Sequence, residues 1–296
     1  GCTIEAQKKP TPSENEPKEV PKVVEEIVSD IYTIMVSLDL LPYYKNEIAK
    51  MKEVEKQQKE FLISIGGGES SDKEKSVPME AKELIKYETK PMEITDTILF
   101  EVLDTDLIEL DKKKIMIIPK DISKPWNDIN KKVLGLNQKW NSLESAVVKS
   151  SVTQDPIKNF ENTLNKLTIS CSQNSQLDAM FHCNKLIYYI PELIKNFKSI
   201  HPVGIYYMQY YLGQTVLEAR INDYEKAAMN LDKLRIYNDY LKEHLIAKKA
   251  TSLADKLETA IVDLSNALEL KDMSIIKIKA SIIMSNIVLS KDEFIK

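Results

Sequence analysis

Thirteen tyrosines are spread over 296 residues, and six of them, Tyr188, Tyr189, Tyr206, Tyr207, Tyr210 and Tyr211, fall close together, with Tyr224, Tyr237 and Tyr240 following. At helical spacing these rings cover more than one face. One reading is that they fill a wide bundle and leave their hydroxyls at its edge. The other is an aromatic-lined groove for a glycan, a peptide or an apolar solute.

The remaining reactive side chains suit structural roles. Cys171 and Cys183 sit in apolar helical seams. A hairpin turning near Gln173 and Asn174 would offset them by about seven residues, roughly 10 Å at helical rise, beyond disulfide reach. Two buried free thiols are therefore expected. His182 pairs with Asp178 four residues earlier, and His201 and His244 are the other histidines. Metal sites in helical bundles place Glu-x-x-His on facing helices, and no such motif occurs, so neither a metal nor a cofactor is expected. No nucleophile is paired with a base, and no glycine loop is built to cradle a phosphate. The chain reads as non-enzymatic.

Composition narrows the partners. The net charge is -4 and the pI is near 5.7. Arg220 and Arg235 are the only arginines, so the chain lacks the concentrated basic surface that nucleic acid rewards. No run of eighteen apolar residues is present, which argues against a membrane span.

The N-terminal stretch "GCTIEAQKKPTPSENEPKEVPK" holds a cysteine ahead of Pro10, Pro12, Pro17 and Pro21, with almost nothing apolar between them. Cys2 fits the acylated cysteine of a bacterial lipoprotein, with Gly1 either the residue before the cut or a tag scar; the alternative is a chance cysteine. Residues 3–22 would then form an extended spacer of about 25 Å or more.

The elements that position these groups follow from apolar periodicity. Seven glycines, three of them together at Gly66-Gly67-Gly68, leave long stretches without the residue that tight β turns favour. Val24, Ile27, Ile31, Ile34, Leu38 and Leu41 make a first seam; Pro42 breaks or kinks it, and a more polar helix continues to about Ile63. Residues 64–122 lack a clean period, with a short helix possible over 79–88 and a hairpin or an extended segment beyond it. Trp126, Ile129, Val133, Leu136, Trp140, Leu143 and Val147 form a regular seam. Further seams run through Ile157 to Cys171 behind an Asp155 cap, Ala179 to Phe197 with a bend at Pro191, Ile205 to Ala219, Ala227 to Leu245, and Leu253 to Leu268. The last helix, Ile275 to Leu289, is apolar nearly all round and is expected to be the most buried. "LESAVV" at 143–148 and "LETAIV" at 257–262 suggest two similar helical hairpins. Short links make neighbouring helices antiparallel.

The expected fold is all-α: an antiparallel multi-helix bundle with an irregular insertion after the second helix and a disordered N-terminal tether. The tether is 1–22, followed by one domain over 23–296, made of 23–63 N-terminal helices, the 64–122 irregular segment and the 123–296 main bundle.

The stretches "PWNDINKKVLGLNQKWNSLESAVV", "IKNFENTLNKLT", "CNKLIYYIPELI" and "NDYEKAAMNLDKL" resemble the helical-bundle surface lipoproteins of Gram-positive spore-forming bacteria. The likeness covers about residues 120–290 and rests on Trp126, Trp140, Asn141, Glu144, Tyr188 and Pro191. It implies an extracytoplasmic, all-helical lipoprotein and supplies no activity. The expected role is a binding or envelope-organising module on the outer face of the cytoplasmic membrane. Its partners would be the membrane, through lipid on Cys2, and envelope proteins or cell-wall polymers. The alternative is a small-ligand receptor using the tyrosine groove.

Overall fold

The computed structural model describes residues 16–66, 87–104 and 112–296, and Cys2 and most of the spacer lie outside them. Among the described residues eleven α-helices follow in order: α1 (Val23–Asp39), α2 (Leu41–Gly66), α3 (Phe100–Leu103), α4 (Lys112–Ile115), α5 (Ser123–Lys149), α6 (Gln154–Ser172), α7 (Gln176–Ile194), α8 (Gly204–Arg220), α9 (Tyr224–Ala247), α10 (Thr251–Leu270) and α11 (Met273–Glu293), with a 3-10 turn at Ile94–Asp96. Consecutive helices from α5 to α11 pack side by side, α1 lies against α5 and α7, and α11 returns to pack on α8 and α3. The chain is an all-α bundle, and the only β pairing among the described residues is one parallel bridge, Glu19 to Lys198.

The seams do what their spacing dictates. All seven residues from Trp126 to Val147 are buried, as are Ala227, Leu231, Leu234, Asn238, Leu241 and Leu245. Leu143 and Val147, and their counterparts Leu257 and Ile261, are buried in the first helices of two hairpins, α5–α6 and α10–α11. Pro42 marks the junction between α1 and α2 but sits in the first turn of α2, where its missing N–H has no helical partner to lose. In α2 the buried residues, Leu41, Tyr43, Glu47 and Ile48, all lie in the first turns.

From α5 onward, five turns between helices are closed by residues other than glycine. Ser151, Asn174, Asn222, Lys249 and Lys271 take φ between 53 and 64°, the left-handed conformation that ends a helix. After Asn174, Asn222 and Lys249 the next N–H reaches back across the turn, as in Ser175 N to Ser170 O at 2.9 Å. This is how a chain with few glycines still reverses direction.

Four expectations are corrected. The N-cap of α6 is Thr153, with Asp155 one residue inside the first turn, where its charge still favours the helix N-terminus. The last helix is not the most buried: α11 leaves Ile278, Ile282 and Leu289 about half exposed, because α10, α8 and α3 cover only part of its surface. The most buried is α8, with 13 of its 17 residues inside, since α7, α9 and α11 all pack on it. α11 is also long and apolar enough, by composition alone, to cross a bilayer. Third, the described part of 87–122 is neither hairpin nor strand but short helical turns. Residues 79–86 of the helix expected over 79–88 fall outside the described residues, and Tyr87 and Glu88 are not helical. Fourth, the end of the spacer is docked: Val20 N donates to Lys198 O at 3.3 Å and Lys198 N to Lys18 O at 2.8 Å.

Buried charge holds the irregular segment. Asp39, at the end of α1, is 1% exposed and accepts from the N–H groups of Ile98 (2.8 Å), Leu99 (2.7 Å) and Phe100 (2.8 Å), which are the orphan donors at the start of α3. Lys277 of α11, 2% exposed, donates to the carbonyls of Ile94 and Thr97 and pairs with Glu101 at 3.3 Å. Tyr43 and Tyr44 fasten the flanks through Lys90 O and Ile115 O.

Candidate functional site

Five of the six tyrosines come together, and Tyr237 of α9 joins them. Tyr188 of α7 is central: its ring centroid lies 5.4 Å from that of Tyr189, 5.3 Å from Tyr207, 5.0 Å from Tyr210 and 6.3 Å from Tyr211, mostly edge to face. Tyr237 stacks on Tyr207 at 4.7 Å and on Tyr211 at 5.9 Å. Tyr210 and Tyr211 are buried, while Tyr188, Tyr189, Tyr207 and Tyr237 are half-buried. The rings pack chiefly against each other across α7, α8 and α9, so they form a continuous aromatic floor. Burial pushes the Tyr211 hydroxyl up to about 12 and those of Tyr207 and Tyr210 higher, so none ionises near neutrality.

Two lysines stand over this floor. Lys185 Nζ is 4.1 Å from the Tyr188 centroid, 5.3 Å from Tyr210 and 5.5 Å from Tyr189, a cation held on three ring faces. Lys233 Nζ is 5.8 Å from the Tyr211 ring. Burial first, and then repulsion from Lys233, pulls the Lys185 ammonium below its ordinary pKa. Of the nearby acids, Glu192 pairs with Lys195 at 3.2 Å and meets the Tyr207 hydroxyl at 3.4 Å. One oxygen of Glu218 takes a hydrogen bond from Gln214, and the other is buried without a partner.

The floor is set in place by one close helix approach. Asn184 of α7 is buried, and its amide donates to Tyr210 O at 3.1 Å and to Gln214 Oε1 at 3.0 Å. It lies on Gly213, where a Cβ would collide with its Oδ1 and stand 3.1 Å from its Cγ. A residue with no side chain lets the two helices approach here.

Tyr206 departs from its neighbours because consecutive helical residues point about 100° apart. It faces His201, with ring centroids at 5.5 Å, and carries Lys291 Nζ 5.5 Å from its ring. These three line a cavity of ≈ 320 Å³ between the docked residues 19–22, the α7–α8 link and the end of α11. No sequence signal linked these groups, which come from three separated segments.

The thiols of Cys171 and Cys183 are free and buried. Burial raises Cys171 to about 11 and Cys183 well above its ordinary value, so neither is a nucleophile near neutrality. His182 is half-buried and held below its ordinary pKa by desolvation. Among the described residues no three His, Cys, Asp or Glu side chains gather as metal ligands do. The arrangement offers stacking surface and fixed positive charge. No protein-family model, curated protein or solved structure matches the chain.

Proposed function

We propose that the protein is a non-enzymatic, lipid-tethered helical module on the outer face of a Gram-positive cytoplasmic membrane, and that it binds an anionic polymer of the cell envelope on its tyrosine floor. The observation carrying the reading is the pair Lys185 and Lys233, two cations near each other over an aromatic surface with no carboxylate in ion-pair contact among the described residues. Like charges brought together on a partly desolvated floor are relieved by an external anion. Sugar rings present apolar C–H faces that suit Tyr188, Tyr207 and Tyr237, and acidic substituents suit the lysines. The tether reading rests on Cys2 and the proline-rich stretch behind it.

The test is titration calorimetry with poly(glycerol phosphate) against uncharged dextran. Binding of the anionic polymer, weakened by salt and by the Lys185→Met/Lys233→Met double substitution, supports the reading. Equal binding of both polymers, or an unaffected double variant, removes it. For the tether, the protein expressed with its leader should incorporate labelled palmitate and lose the label in Cys2→Ala; membrane retention of that variant would remove this part alone.

A further inference from the structure

We infer that the cavity beneath the docked N-terminal strap is a binding site for a small apolar carboxylic acid, with Lys291 holding the carboxylate. The inference does not depend on the tyrosine floor, which lies on other residues.

The cavity has ≈ 320 Å³, at the lower end of small-molecule sites, which run from about 300 to 1,000 Å³. Val20 and Pro21 of the strap, Ile194 at the end of α7 and Ile295 beyond α11 supply apolar wall. Of the polar lining, Glu19, Lys22, Glu25 and Lys198 are exposed and the Ser199 hydroxyl donates to His201 O, which leaves three less exposed groups converging on the cavity. Lys291 reaches in from α11 and His201, 8% exposed, from the α7–α8 link. Tyr206 lines the cavity as well, and its hydroxyl has no hydrogen-bond partner among the described residues.

Lys291 is the informative member. It is half-buried, and no carboxylate stands within ion-pair distance of it among the described residues. Glu25, exposed on the rim, and then the adjacent Asp292 favour its charge from beyond ion-pair distance. Desolvation disfavours its charge, and the ring face of Tyr206 at 5.5 Å answers only part of that cost. His201 turns Nδ1 to Pro202 O at 3.2 Å, which leaves its other ring nitrogen without a protein partner. A half-buried cation and an imidazole beside apolar wall, with the cavity's own carboxylates Glu19 and Glu25 exposed and outside ion-pair distance of Lys291, match a ligand that has one carboxylate on a hydrocarbon body. A neutral ligand would leave Lys291 without an ion-pair partner, and an amine would add a second positive charge beside it.

The test uses the full chain and three probes of equal length: octanoate, octanamide and octylamine. Octanoate should bind saturably at one site by calorimetry and raise the melting temperature, with octanamide at least about ten-fold weaker and octylamine weaker still. Lys291→Met keeps the apolar stem and removes the charge, so it should erase the preference for octanoate over octanamide. Val20→Trp fills the cavity from the strap side and should block octanoate without touching Lys291. The inference is overturned if octanamide or octylamine binds as well as octanoate, if Lys291→Met retains the preference, or if no probe saturates a site in the parent. A failure here with poly(glycerol phosphate) binding intact would leave the tyrosine-floor reading standing.

Discussion

Removing the Asp39 carboxylate should loosen one segment of the molecule before the rest. In the parent, Asp39 makes four contacts of 3.0 Å or less with three backbone N–H groups, two of them from Ile98. Burial pushes its carboxyl up to about 6, although those N–H groups and the charge of Lys277 pull the other way, so it is mostly ionised at pH 7. Asp39→Ala strands three buried donors, each costing about 1–3 kcal/mol when unpaired, and some of that cost is recovered if the segment opens to water. It also removes a charge that favours buried Lys277, a smaller effect because the Lys277–Glu101 pair remains. The terms overlap, so the expected loss is about 3–5 kcal/mol in urea denaturation at pH 7.

The location of the loss is as informative as its size. Residues 94–104 should become sensitive to protease and to amide exchange under conditions where α7, α8 and α9 remain protected. Asp39→Asn keeps one acceptor but aims N–H donors at N–H donors, so it should fall between the parent and alanine. Lys277→Met should loosen the same segment by itself, because it strands the Ile94 and Thr97 carbonyls and the Glu101 carboxylate. An Asp39→Ala protein within about 0.5 kcal/mol of the parent, with unchanged exchange at Ile98, Leu99 and Phe100, would refute the latch.

Two glycines make a paired test of the close approach between α7 and α8. Gly213→Ala must displace Asn184 and should destabilise by about 1–3 kcal/mol, whereas Gly135→Ala, with nothing within 4 Å of its added carbon, should stabilise by about 0.5–1 kcal/mol in thermal melts. Trp126 and Trp140 are 8% and 4% exposed, and Trp140 packs on Phe160 with centroids 4.4 Å apart. Alanine at either position should cost about 3–5 kcal/mol in urea denaturation, and melting like the parent would mean the α5 seam carries little of the core. Burial, and then Lys291, holds His201 below its ordinary pKa, so the unfolded chain takes up its proton first and stability falls as pH drops below about 6.5. Asp39 acts in the opposite sense, since its raised pKa makes the folded form take the proton first between about pH 6 and 4. Urea midpoints at pH 7, 6 and 5 should therefore fall less in His201→Gln than in the parent, and an equal fall would remove His201 as a source of acid sensitivity.

The bundle was legible wherever burial falls on one stripe of a helix, as in the Trp126–Val147 seam, because a period of three and four residues directly reports which face is covered. The pattern was silent where a helix is apolar all round. In α11 the number of neighbours, and not the composition, decides that Ile283 is buried and Ile282 is 44% exposed. It was silent again at 87–104, whose order comes from Asp39 and Lys277, the first 59 and the second 180 residues away in sequence. A lysine at 277 between Ile276 and Ile278 was the available clue, since a charge within an apolar run is costly unless it has a partner. The tyrosine floor was visible as a cluster, but its division was not. Tyr206 joins the cavity and Tyr207 the floor because of helix geometry and of which helices happen to pack on each side.

The strap is the point at which tether and cavity meet, and its energetics are close to balanced. Two backbone hydrogen bonds at about 1 kcal/mol each and the half-buried Val20 side chain at about 1–2 kcal/mol favour docking of Lys18–Val20. Ordering three backbone residues costs about 1–2 kcal/mol apiece. With the two sides this similar, a ligand that touches Val20 and Pro21 on one wall and Lys291 and His201 on the other adds contacts only the docked state can make. An acid in the cavity would therefore hold the strap down. Under the proposed lipid tether at Cys2, occupancy of a small site would then set how far from that anchor the tyrosine floor can reach.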